Sequence, residues 1–112
     1  MAFTATLAAL TDTAKITLTG ELDANSAPIF KAEIEQAALS NPQRLVLMMA
    51  ELEYMSSAGL RVLIFAKQKM GVDVDIYVVA AQEMIIDTLE KTGFIQGVFV
   101  VDNYEQTQLQ SV

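Results

Sequence analysis

Two adjacent serines, Ser56 and Ser57, stand directly before Ala58-Gly59 and a stretch with helical spacing that carries Leu60, Leu63, Ile64 and Met70. A serine hydroxyl at the start of a helix can do one of two things. It can cap the helix, which is the ordinary use of serine there, or it can carry an anion. The first N–H groups of a helix have no intrahelical partners, and the helix dipole favours negative charge at that end. A phosphate ester on such a serine adds about −1.5 to −2 charge at neutral pH and sits where the backbone stabilises it. Ala58 and Gly59 have almost no side chain, so a large partner can approach the serines closely. Spacing alone leaves both uses open and favours the cap.

The remaining reactive residue types are sparse. The chain has no His and no Cys, which removes imidazole bases, thiolate nucleophiles, disulfides and the usual zinc ligands. Asp23 follows Gly20-Glu21-Leu22 in a loop before the first predicted helix, where an acidic residue is most often a turn or cap residue. Glu33, Glu35, Glu51 and Glu53 read as solvated carboxylates. Lys67 and Lys69 form no phosphate-binding motif, and no Gly-rich phosphate loop is present, so no cofactor is expected. The six methionines suit core filling or an adaptable contact surface.

The elements that must position the serines follow from periodicity. Residues 3–10 read as a strand with threonines on one face, and residues 15–19 alternate polar and apolar as a half-buried strand does. Thr11-Asp12-Thr13 between them predicts a hairpin, and Gly20 is expected to end the second strand. Asn25 and Ser26 are candidate caps for a helix with Pro28 in its first turn and Phe30, Ile34, Ala37 and Ala38 on one face. Asn41-Pro42 stops it. Leu45-Val46-Leu47-Met48-Met49 has the continuous apolar character of a strand buried on both faces.

Residues 50–55 read as a loop into the serine helix. Residues 75–79 read as another buried strand, residues 84–90 as a third helix with Ile85, Ile86 and Leu89 apolar and Gly93 past its end, and residues 98–101 as the last strand. Asn103 and Gln106 have the spacing of a capping box for a short final helix. The order β-β-α-β-α-β-α-β-α predicts an α/β fold with a mixed, mostly parallel sheet of about five strands. Its three to four helices should lie mainly on one face.

Composition bounds the rest. The chain has 112 residues, 53% of them hydrophobic, with no Trp. It is read as one domain over 1–112 with an aliphatic core. The net charge of −7 repels a phosphate backbone and argues against direct nucleic-acid binding, while basic protein surfaces fit it. The N-terminus lacks the basic-then-apolar pattern of a signal peptide, and no apolar run approaches the ~18 residues of a membrane helix. A cytoplasmic protein with no membrane insertion is expected.

The segment Leu52-Glu53-Tyr54-Met55-Ser56-Ser57-Ala58-Gly59-Leu60-Arg61-Val62-Leu63 resembles the signature of bacterial anti-sigma factor antagonists, of the STAS (sulfate transporter and anti-sigma factor antagonist) family. Gly20-Glu21-Leu22-Asp23 with Ala27-Pro28, Arg44-Leu45-Val46-Leu47, and Leu89-Glu90-Lys91-Thr92-Gly93-Phe94 agree with the family in order and spacing, and the resemblance covers roughly residues 14 to 109. It implies a mixed sheet with helices on one side and a non-enzymatic, partner-switching function. In that scheme the unphosphorylated protein binds an anti-sigma factor that is also a serine kinase of the GHKL type. Phosphorylation breaks the complex, and a serine phosphatase resets it. The resemblance places the modified serine two residues before the signature glycine, at Ser57, with Ser56 as an alternative. It makes Asp23, Ser56, Ser57, Ala58, Gly59 and Arg61 the partner-binding residues. The chain departs from the family where Met48 replaces a common polar residue, and where Ser-Ser-Ala-Gly replaces Asp-Ser-Ser/Thr-Gly. A second implied role is a non-phosphorylated STAS subunit bound constitutively to a transporter or lipid-export complex.

Overall fold

The computed structural model describes residues 2–102. In chain order the elements are β1 (Thr4–Ala9), β2 (Thr13–Leu22), α1 (Ala27–Leu39), β3 (Arg44–Met55), α2 (Ser57–Met70), β4 (Asp75–Val79), α3 (Glu83–Lys91), a 3-10 turn (Phe94–Gly97) and β5 (Phe99–Val101). The strands form one sheet in the order β1-β2-β3-β4-β5. β1 and β2 are an antiparallel hairpin closed by the Leu10 N–H donating to the Thr13 carbonyl at 2.7 Å. Each later strand runs parallel to its predecessor.

This order decides where the helices go. Parallel neighbours are joined by right-handed crossovers. When the strands are added always in the same direction, every crossover helix falls on the same face. The side chains agree. On β2, Ala14, Ile16 and Leu18 are fully buried while Lys15, Thr17 and Thr19 are half-exposed. Leu45, Leu47 and Met49 of β3 and Ile76 and Val78 of β4 join them in one core with Phe30, Ile34 and Ala37 of α1, Val62, Leu63 and Ala66 of α2, and Ile85 and Leu89 of α3. Val46 is buried too, so the run from Leu45 to Leu47 is covered on both faces, as expected of a central strand.

Two expectations fail in the same region. Gly20 does not end β2, which runs on to Leu22. Gly20 instead carries φ +85° beside a register shift against β3, and a β-carbon there would lie 2.3 Å from the Ala2 carbonyl oxygen. It is a bulge glycine under a close backbone approach. Residues 50–55 are not a loop either; they extend β3 to Met55, paired with β2 through Leu22. The strand is hidden in the sequence because the bulges break its alternation: Leu52 and Met55 are buried, while Glu51, Glu53 and Tyr54 are exposed. β4 pairs with β3 only up to Met48 and Val79, so this far half has one neighbour strand and tolerates charge.

On α2 the inward residues are Gly59, Val62, Leu63 and Ala66, whereas Ile64 is 42% exposed. The 3-10 turn is an additional element, held by the Lys67 ammonium donating to the Gly97 carbonyl at 2.6 Å. Asn41, at φ +49°, closes α1 ahead of Pro42, as expected. The predicted final helix at Asn103 and Gln106 lies outside the described residues.

Candidate functional site

The site forms because β2 and β3 end side by side. Leu22 pairs with Met55, and one residue further the Ser56 N–H donates to the Leu22 carbonyl at 2.8 Å. Asp23, which follows Leu22, is thereby set next to the start of α2. The chain then turns into α2 directly above the two strand ends. That turn needs Gly59: it is buried, and a β-carbon on it would lie 2.7 Å from Leu22 Cγ and 2.8 Å from Met55 Cγ. Gly59 is therefore packed beneath the site, against Leu22 and Met55. Ala58 is half-buried against the same core.

The two serines are not equivalent. Ser56 is the N-cap, with extended backbone (φ −85°, ψ 178°), and its hydroxyl accepts from the Ala58 N–H at 3.2 Å. Ser57 is the first helical residue. It is exposed, and its hydroxyl makes no hydrogen bond to any described residue. One turn on, Arg61 is exposed as well, and with Ile64 and Gln68 it continues the outward stripe that begins at Ser57.

Across the strand pair, the loop between β2 and α1 is closed by internal hydrogen bonds. Asp23 Oδ1 accepts from the N–H groups of Asn25 at 3.0 Å and Ser26 at 3.1 Å. The Ser26 hydroxyl accepts from the Asp23 N–H at 2.9 Å, and its own proton faces the Glu21 carbonyl at 2.9 Å and Asp23 Oδ1 at 3.1 Å. Ser26 occupies the N-cap position of α1 but makes no side-chain cap bond, because its hydroxyl is turned back into this loop. Hydrogen bonding lowers the Asp23 pKa below the usual carboxylate value, first through the Ser26 N–H and then through the Ser26 hydroxyl. Asp23 is thus both a structural anchor and a fixed negative charge beside the start of α2.

Sequence reasoning missed Ser26 as part of this network, since a serine before a helix reads only as a cap. It also missed the apolar rim: Tyr54, Ile29 and Ile64 are 43%, 48% and 42% exposed. Ile29 borders an open hollow of about 350 Å³ shared with Asp23, Asn25 and Ser26. Met48 lies further back, half-buried between Thr17 and Val79 in the sheet. A larger groove of about 730 Å³ follows α3 past Met84, Asp87 and Glu90. Among the described residues no group of three or more His, Cys, Asp or Glu is placed to hold a metal, and no helix is long and apolar enough to cross a membrane.

A mixed sheet with three helices on one face, and a helix starting on a serine pair over two parallel strand ends, defines a class of α/β domain. The chain belongs to the STAS domain family, which it matches over residues 5–107. No curated protein matches it. Among solved structures it is similar to an anti-sigma factor antagonist from Mycobacterium paratuberculosis, with 22% identity, TM-score 0.83, and coverage of 99% of this chain and 94% of that one. It is also similar to the anti-sigma factor antagonist SpoIIAA in its unphosphorylated form, at 18% identity and TM-score 0.75 over 98% of this chain and 96% of that one. The phosphorylated form of SpoIIAA, the Bacillus cell fate determinant, matches at 18% identity and TM-score 0.74 over 98% of both chains. At these identities the likeness is one of fold.

Proposed function

We propose that this protein is an anti-sigma factor antagonist that works by partner switching, a binding module and not an enzyme. Unphosphorylated, it binds an anti-sigma factor that is also a GHKL-type serine kinase, using the start of α2 with Ser57 and Arg61, the Asp23 loop beside it, and the exposed Tyr54 and Ile64. The kinase places a phosphate on Ser57, the complex separates, and a serine phosphatase restores the binding form.

The observation that carries this reading is the difference between neighbouring hydroxyls. Those of Ser56 and Ser26 are engaged in hydrogen bonds, whereas that of Ser57 is exposed and unengaged among the described residues. A kinase can reach it without unfolding the helix start. The ester then adds bulk and about −1.5 to −2 charge in the middle of a contact surface that already holds the Asp23 carboxylate. A partner that stays bound has to desolvate that dianion. Each 1.4 kcal/mol lost weakens binding about tenfold, so a few kcal/mol suffice to release it with no change of fold. SpoIIAA, whose fold this chain shares, is known in unphosphorylated and phosphorylated forms.

The test is calorimetric titration of an anti-sigma kinase from the same cell with protein carrying either serine or genetically encoded phosphoserine at position 57. The proposal expects at least a hundredfold weaker binding of the phosphoserine form. Equal affinities would point instead to a constitutive STAS subunit, as in a transporter or lipid-export complex.

A further inference from the structure

We propose that Arg61 is the internal counter-ion of a phosphate on Ser57, holding the modified state and withdrawing its own charge from the partner surface as it does so. This rests on Ser57 being the modified residue.

Three observations lead to it. First, Ser57 and Arg61 are four residues apart on α2 and both exposed, which makes them neighbours on the helix surface about 6 Å apart along the axis. The order is the favourable one, with the acidic group toward the N-terminus. Helical side chains also lean back toward the N-terminus, which brings the turn that holds Ser57 within reach of the Arg61 guanidinium. Second, Arg61 is in no ion pair with a described residue, while other helical cations are committed. Lys31 sits 4.9 Å from the centre of the Phe65 ring, Lys67 donates to the Gly97 carbonyl, and Lys91 pairs with Asp87 at 2.9 Å. Lys69 is at the far end of α2, and Lys15 and Arg44 are at the opposite end of the sheet. Third, the charged groups on the elements beside this helix start are acidic: Asp23 on the loop after β2 and Glu53 on β3. A dianion arriving there meets repulsion that Arg61 alone is placed to offset, with a planar fork of donors suited to phosphate oxygens.

The consequence is a switch with two parts. In the unmodified protein Arg61 is free to meet an acidic group of the partner. Once Ser57 is phosphorylated, the guanidinium turns to the phosphate, so one modification adds a dianion to the surface and removes a cation from it.

The experiment uses full-length protein with phosphoserine encoded at position 57, so that no kinase is needed. Phosphorus-31 NMR follows the second ionisation of the phosphate at low salt in the wild-type background and in Arg61→Ala and Arg61→Lys, with circular dichroism confirming that each is folded. An ion pair of this kind lowers that ionisation by about 0.15 to 0.4 pH unit relative to Arg61→Ala. Arg61→Lys should recover part of the shift, and about 0.5 M salt should erase most of it. Identical ionisation in all three proteins overturns the proposal. Because the phosphate is installed during translation, that result would concern Arg61 alone. Failure of a kinase to modify Ser57 would instead count against the proposed function.

Discussion

Two helices start within a few residues of the same pair of strand ends, and each has a serine at its N-cap position, yet the two starts are built differently. At α1 the Ser26 hydroxyl is buried and tied to Glu21 and Asp23. At α2 the N-cap Ser56 holds the Ala58 N–H, and the serine after it, Ser57, is left exposed and unbonded among the described residues. The first start is a closed knot of hydrogen bonds. The second is a rigid platform that presents a hydroxyl. The comparison separates a structural serine from an available one by its partners and not by its position before a helix.

The comparison can be broken most severely at the glycine that brings the two starts together. Gly59→Ala puts a β-carbon 2.7 Å from Leu22 Cγ and 2.8 Å from Met55 Cγ, atoms close to the backbone of both strands. Overpacking of this kind costs about 1–3 kcal/mol, which urea denaturation will show as a lower midpoint. Unchanged stability would mean that α2 does not sit on the strand ends as described.

Next comes the knot itself. Ser26→Ala removes a buried hydroxyl and leaves the Asp23 N–H without its 2.9 Å acceptor, a loss of about 1–3 kcal/mol. Ser57→Ala should stay within about 0.5 kcal/mol of wild type, as exposed substitutions do. Equal losses at the two serines would erase the distinction. Ser56→Ala falls between them, at about 1 kcal/mol for a lost cap, and should fray the first turn of α2 in hydrogen exchange.

The smallest effect is that of pH. Because hydrogen bonds lower the Asp23 pKa in the folded protein below its ordinary 3.8, its contribution to stability is fully present above that unfolded value. It is lost as pH falls through the still lower folded value. An Asp23→Asn variant should therefore lose less stability than wild type when the pH is lowered from about 5 to 3. The group is solvent-accessible, so the difference will be modest. Parallel acid dependence in the two proteins would show that Asp23 is not held by the loop.

Much of this was legible in the sequence, for physical reasons that can be named. The alternation of Lys15 to Thr19 and the unbroken apolar run from Leu45 mark one half-buried and one doubly buried strand, and the strand–helix order then dictates a mixed sheet. The serine pair before Ala58-Gly59 marked the candidate site, and the structure shows it at the start of α2. Illegible were the features that depend on tertiary neighbours. The far half of β3 lost its period of two to bulges against β2, so Glu51 to Met55 read as a loop. Gly20 read as a stop and is a bulge. The packing of Gly59 on Leu22 and Met55 was hidden too, because a missing side chain looks the same in sequence whether solvent or Leu22 lies beyond it. The roles of Ser56 and Ser57 separate only once the cap geometry is seen.

The most direct test of the account is the site of phosphorylation. The protein is incubated with an anti-sigma kinase from the same cell and ATP, and intact-mass and peptide mapping are run on wild type, Ser56→Ala and Ser57→Ala. The account predicts one phosphate on Ser57, kept in Ser56→Ala and absent from Ser57→Ala, with release from the kinase as it forms. A phosphate that maps to Ser56, or a stable complex with Ser57 unmodified, would contradict it.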